Sequence, residues 1–103
     1  MQQIEYPTRF TKGQLKIDKI LKEAGFFTEM EYPVGSYRLD IFLPSFDIGI
    51  EYDGIMHWKK RDEKRDAFIK KEAKIDIIRI TDKNLKKEYI IDSIKELIKN
   101  RHG

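Results

Sequence analysis

Three acidic side chains stand close together in the middle of this chain: Asp40 in the run Tyr37-Arg38-Leu39-Asp40-Ile41-Phe42-Leu43, and Glu51 with Asp53 in Ile48-Gly49-Ile50-Glu51-Tyr52-Asp53. Pro44-Ser45 separates the two runs, and each reads as a strand in which side chains alternate between two faces. Tyr37, Leu39, Ile41 and Leu43 then share one face, with Arg38, Asp40 and Phe42 on the other. Ile48, Ile50 and Tyr52 likewise oppose Asp47, Gly49, Glu51 and Asp53. A symmetric turn centred on Ser45-Phe46 sets Asp40 opposite Glu51 and Arg38 opposite Asp53. Opposed residues have Cβ atoms about 5 Å apart, and like charges at that distance destabilise a sheet unless a cation lies between them. Asp40, Glu51 and Asp53 are therefore candidate ligands of a divalent metal. Magnesium, or manganese in its place, takes a few carboxylate oxygens and completes its shell with water and substrate phosphate. That supply suits metal-assisted hydrolysis of a phosphodiester. The competing reading is an acidic, solvated hairpin face. Against it, Asp and Glu are poor strand residues, and three of them flank a glycine that leaves room for close approach. The inference depends on the turn, because an odd loop length would flip one strand.

Directly after the acids, Gly54-Ile55-Met56-His57-Trp58 turns out of the sheet and returns His57 towards the strand ends. His57 is a candidate general base, general acid or water-orienting group, or else simply an exposed histidine. Trp58 reads as a core anchor. Next comes a helix from Lys59 to Lys74 with eight basic residues (Lys59, Lys60, Arg61, Lys64, Arg65, Lys70, Lys71, Lys74) against four acidic ones. Lys59, Lys60, Arg61 and Arg65 are candidate contacts to a nucleic-acid backbone, where neutralised phosphates release counterions. Pairs such as Asp62 with Arg65 and Asp66 with Lys70 would also serve an ordinary solvated helix, but they leave the basic excess unexplained.

The rest of the chain must position these groups. Its 103 residues provide for one domain and one core, and the absence of cysteine excludes a disulfide framework, a thiolate zinc site and a cysteine nucleophile. No signal peptide and no apolar run of membrane-spanning length is visible, so a soluble, intracellular and cytoplasmic or nucleoid-associated protein is expected. The net charge of +3 is small for a chain that is 38% charged, so local segregation of sign matters more than the total. A first helix starts at Thr11, with Gln14 as its capping-box partner, and carries Ile17, Ile20, Leu21 and Ala24 on one face before Gly25 ends it. Strands are expected at Phe26 to Tyr32, Tyr37 to Leu43 and Phe46 to Asp53, and a fourth at Ile75 to Ile80 follows the basic helix. A last helix presents Ile90, Ile91, Ile94, Leu97 and Ile98. The expected order is αβββαβα, a mixed α/β (α+β) domain with helices packed on a central sheet.

The run Tyr37 to Pro44, followed by Ile50-Glu51-Tyr52-Asp53-Gly54-Ile55-Met56-His57, resembles the Vsr-like branch of the PD-(D/E)XK nucleases, the branch of the very-short-patch-repair endonucleases. The similarity continues through Asp62-Glu63-Lys64-Arg65 and Ile78-Arg79-Ile80. It implies a restriction-endonuclease-like αβββαβ core and magnesium-dependent cleavage of DNA. Matched residue by residue, Asp40 corresponds to the family's metal-binding aspartate and Glu51 to the acid of the second motif. His57 corresponds to the histidine after the Asp-Gly turn, and Asp62 to the acid that often follows it. Two positions depart from the pattern: Asp53 stands where the superfamily usually has lysine, and Gln14 where a first-helix glutamate is common. Gln14 could orient water or serve only as a cap. The resemblance makes a DNA endonuclease or nickase the leading expectation. A catalytically silent nucleic-acid-binding module and a homodimeric junction-resolving nuclease, or a part of a larger nuclease assembly, are the alternatives.

Overall fold

Thr11 stands in extended conformation and its Oγ1 accepts the Gln14 N–H at 3.0 Å, which satisfies one of the free donors at a helix start. Helix α1 (Lys12–Glu23) follows in the computed structural model, which describes residues 10–55 and 59–102. Ile17 and Leu21 on its inner face are fully buried. Asp18, also buried, accepts from Thr28 at 2.6 Å and pairs with Lys22 at 2.9 Å, so its charge is compensated locally. The helix ends where Gly25 adopts φ +96, a conformation that lets the Gly25 and Phe26 N–H groups reach the Lys22 and Leu21 carbonyls.

The chain continues as β1 (Glu29–Val34), β2 (Tyr37–Leu43), β3 (Ile48–Gly54), α2 (Lys59–Ala73), β4 (Asp76–Thr81), a short 3-10 turn (Asp82–Asn84) and α3 (Lys87–His102). This is the expected αβββαβα order, although β1 starts three residues later than the sequence pattern suggests. The sheet runs β1-β2-β3-β4, antiparallel for its first two pairings and parallel between β3 and β4. Helix α2 makes the crossover that a parallel pair requires.

Apolar side chains cover both faces of the sheet. One core joins Ile17 and Leu21 of α1 and Ile90 and Ile94 of α3 to Ile41, Leu43, Ile48, Ile50 and Ile80. The other gathers Val34, Leu39, Phe42 and Ile75 around Ile69 of α2. Gly49 belongs to the second core by omission, since a Cβ there would lie 2.9 Å from Leu39 and 3.0 Å from Ile77. The room it leaves is filled by these side chains.

Strict alternation along β2 does not hold. Tyr37 and Leu39 share the α2-side core with Phe42, while Ile41 and Leu43 face α1 and α3. In β1 the same exchange separates Met30 from Tyr32, and the ladder pairs Met30 with Ile41 and Tyr32 with Leu39. Between them lie Glu31, with φ +56, and Asp40. A left-handed residue in a strand rotates the chain that follows it, so the facing residues change sides together. The switch falls at the site itself.

Candidate active site

The β2–β3 register is the expected one, with Ile41 opposite Ile50, Phe42 opposite Gly49 and Leu43 opposite Ile48. The ladder stops there. One step further, the side chains replace the main-chain partners: the Asp40 N–H donates to Glu51 Oε2 at 2.7 Å, and the Tyr52 N–H donates to Asp40 Oδ2 at 2.8 Å. These crossed bonds hold the two carboxylates together where the strands part, and they satisfy two main-chain donors that would otherwise lack a ladder.

Burial and proximity make this an electrostatically costly pair. Glu51 is only 8% exposed. Burial first, and then the charge of Asp40, push its pKa up to about 7 against the stabilising Asp40 N–H and the Arg65 and Arg79 charges. Asp40 is also raised, chiefly by burial and further by Glu31 and Asp53, with the Tyr52 N–H and Arg65 opposing. Two clustered acids that resist ionisation are the condition a bound cation relieves.

The neighbouring acid behaves differently. Asp53 does not face Arg38, because β2 and β3 have already separated. Arg38 pairs instead with Pro33 across β1, and its guanidinium lies 3.8 Å from Glu31. Asp53 Oδ1 accepts from Arg79 Nη1 at 3.0 Å. Arg79 sits opposite Glu51 in the parallel ladder and also holds Asp66 through bonds of 2.7 and 3.2 Å. Asp53, expected as a third acid of the hairpin, thus has a cation from β4 on one of its oxygens.

Gln14 is more than a cap. Its side chain, 4% exposed, donates to Glu31 Oε2 at 2.9 Å and to the Asp40 carbonyl at 3.0 Å, so the reciprocal half of a capping box is not made. Helix α1 is thereby fastened to the step of β2 that carries Asp40. Glu31 is not among the residues the sequence singles out, since neither its left-handed backbone nor its place beside Asp40 leaves a mark in residue types. On the far side of β3, the Tyr52 hydroxyl donates to Asp82, and its ring lies on Gly13, where a Cβ would meet ring atoms at 2.2 Å. Gly13 is required for α1 to approach the sheet this closely.

Arg65, expected at the surface, is turned inward. Its side chain is 15% exposed, with Nη2 on the Arg38 carbonyl at 2.6 Å and 3.2 Å from Glu51 Oε1. Lys70 is taken up by Asp76 at 2.7 Å. Lys59, Lys60, Arg61 and Asp62 lie in the first turn of α2, and their side chains are outside the described residues, as is His57.

Among the described residues no group of three or more His, Cys, Asp or Glu is disposed to hold a metal ion. Asp40 and Glu51 form a pair, which meets the one or two carboxylates that magnesium takes when water and phosphate complete its shell. No described helix is long and apolar enough to cross a membrane.

No protein-family model matches the chain, and no curated protein matches it significantly. Among solved structures, the catalytic domain of the homing endonuclease I-Bth0305I is similar, with a TM-score of 0.62 at 18% identity over 86% of this chain and 91% of that domain. The chain therefore has a mixed α+β fold shared with an endonuclease catalytic domain. At this identity the likeness speaks for the fold, and the chemistry has to be argued from the residues.

Proposed function

We propose that this chain is a metal-dependent endonuclease domain of the Vsr-like PD-(D/E)XK type that hydrolyses phosphodiester bonds in DNA, cutting or nicking a strand. The observation that carries this reading is the crossed Asp40–Glu51 pair, a half-buried and a buried acid held face to face where β2 and β3 part. The crossed bonds satisfy two main-chain donors but leave two like charges side by side, a cost that a divalent cation would relieve. Asp40 and Glu51 would hold the magnesium, or manganese as substitute. When bound, the ion supplies a water of lowered pKa and charge stabilisation for the leaving oxygen. Gln14 positions Asp40 through its carbonyl, and Asp53, held on one oxygen by Arg79, would assist the pair. His57 is assigned to orient a water or move a proton, Asp62 to assist it, and Lys59, Lys60 and Arg61 to bind backbone phosphates. One such site breaks one strand, so a double-strand cut requires a second site or a second visit.

The test is cleavage of supercoiled plasmid in magnesium or manganese by the native chain and by Asp40→Ala at equal concentration and salt. Relaxed or linear product that depends on Asp40 is expected. A second reading, a silent DNA-binding module, draws on the two-acid rather than three-acid cluster among the described residues. Salt-sensitive DNA binding with no cleavage by either protein would select it.

A further inference from the structure

Both carboxylate oxygens of Glu51 are engaged. Oε2 accepts the Asp40 N–H at 2.7 Å, and Oε1 lies 3.2 Å from Arg65 Nη2. A metal ion shared by Asp40 and Glu51 would draw on Glu51 Oε1, the oxygen turned away from the Asp40 N–H, and there its charge would stand against the guanidinium of Arg65. The guanidinium has other anchors that do not depend on Glu51. Nη2 donates to the Arg38 carbonyl at 2.6 Å, Nη1 lies 3.6 Å from Asp66 Oδ1, and the guanidinium carbon stands 5.7 Å from the centre of the Tyr37 ring. Arg65 can therefore release Glu51 and remain beside the site.

We infer that Arg65 is the resident counter-ion of the acid pair: it occupies Glu51 Oε1 when no metal is bound, yields that oxygen to an entering divalent ion, and then donates to the phosphate that accompanies the ion. The inference rests on the metal-dependent reading above and reassigns Arg65 from a surface phosphate contact to a positioning residue inside the site. Its physical basis is that a buried acid beside a second acid is costly without a cation. Arg65 provides one charge until the metal provides two, so Glu51 is never left without a positive neighbour. Arginine suits the second role because its planar fork presents several donors to phosphate at once. The exchange also links the ligands. DNA that captures the released guanidinium favours metal binding, and metal favours DNA by the same factor.

The experiment measures Mn2+ affinity of the full chain by electron paramagnetic resonance of the free ion, with and without a phosphorothioate duplex that resists hydrolysis. Native protein, Arg65→Met, Arg65→Lys and Asp40→Ala are compared. Without duplex, Arg65→Met is expected to bind Mn2+ about tenfold more tightly than the native chain, the scale of losing one competing charged contact. Adding duplex should tighten Mn2+ binding several-fold more in the native chain than in Arg65→Met. If circular dichroism shows Arg65→Met to be unfolded, Arg65→Lys is the readout and should show the same changes at smaller size. Native and Arg65-substituted chains with equal Mn2+ affinity, or with equal tightening by duplex, overturn the exchange even when Asp40→Ala abolishes Mn2+ binding. Mn2+ binding that is absent throughout, or indifferent to Asp40→Ala, overturns the metal-dependent reading itself and this inference with it.

Discussion

Two pairs of charged contacts sit side by side on β3, and they solve the same problem in opposite ways. Asp53 meets Arg79, which also holds Asp66, so one cation bridges two acids through hydrogen bonds of 2.7 to 3.2 Å. Glu51, two residues earlier, meets Asp40, another acid, and the pair is held by main-chain N–H groups. In the first arrangement each acid hydrogen-bonds to a cation of the chain. The second leaves a demand for positive charge that Arg65 meets only through one oxygen of Glu51. Neighbouring acids on one strand can thus belong to different classes, and what separates them is the residue that the next strand or helix brings opposite.

The comparison is broken most directly by activity. Asp40→Ala and Glu51→Ala are expected to lower magnesium-dependent plasmid cleavage by more than about 100-fold, beyond the roughly 10–100-fold typical of residues that only support metal ligands. Arg79→Met keeps both members of the acid pair and should lower the cleavage rate per folded molecule by a smaller factor, through the lost positive charge beside Glu51. Equal losses in both groups would erase the distinction drawn between the two pairs.

Stability should show the reverse order. Arg79→Met removes the cation between Asp53 and Asp66 and is expected to cost about 3 kcal/mol in urea unfolding, the lower end for breaking a buried ion pair. Asp40→Asn should instead be neutral or stabilising without metal, because it removes one of two repelling acids. A destabilised Asp40→Asn would show that the pair contributes to folding.

Proton linkage sharpens the contrast. Glu51 has its pKa raised from 4.5 to about 7 in the folded chain, so the folded state holds a proton that the unfolded state releases earlier. Its contribution to stability is fully present below pH 4.5 and is lost as pH rises through about 7. The loss is on the order of 3–4 kcal/mol, since each tenfold difference in proton affinity between the two states is worth about 1.4 kcal/mol. In chelator, unfolding free energy measured from about pH 4.5 to 8 should fall more steeply for the native chain than for Glu51→Gln. Magnesium should restore part of it at the alkaline end. Parallel curves for the two proteins would remove Glu51 as the group responsible.

The smallest effects distinguish the two ends of the α1 start. Gln14→Ala deletes bonds to Glu31 and the Asp40 carbonyl and should cost about 1–2 kcal/mol while slowing cleavage. Thr11→Ala deletes only the cap and should cost about 1 kcal/mol with cleavage unchanged. Urea melts paired with cleavage rates check both, and a Thr11 variant that cleaves as slowly as the Gln14 variant would show that α1 position alone matters.

Much of the scaffold is legible in the sequence because local rules govern it. The Thr11 cap, the Gly25 stop, the strand breaks and the apolar stripe of α3 are all visible in residue types, and together they yield the element order. The Ser45-Phe46 turn likewise sets the β2–β3 register, which places Asp40 and Glu51 together. Arg38 misleads because simple alternation runs on past Asp40, whereas the strands part and change faces there. Arg65 misleads because a basic residue on a charged helix looks solvated until the position of the sheet beneath it is known.

The sequence by itself determined that two acids would meet on a hairpin within a mixed α+β domain, because turn length and side-chain alternation act over a few residues. Only the tertiary structure decided which acid is compensated. Arg79 reaches Asp53 from a parallel strand beyond a crossover helix, Arg65 reaches Glu51 from that helix, and Gln14 reaches Asp40 from the far side of the sheet. Such pairings depend on how whole elements pack, and Coulomb energy in a partly buried site is set by those few ångströms of placement.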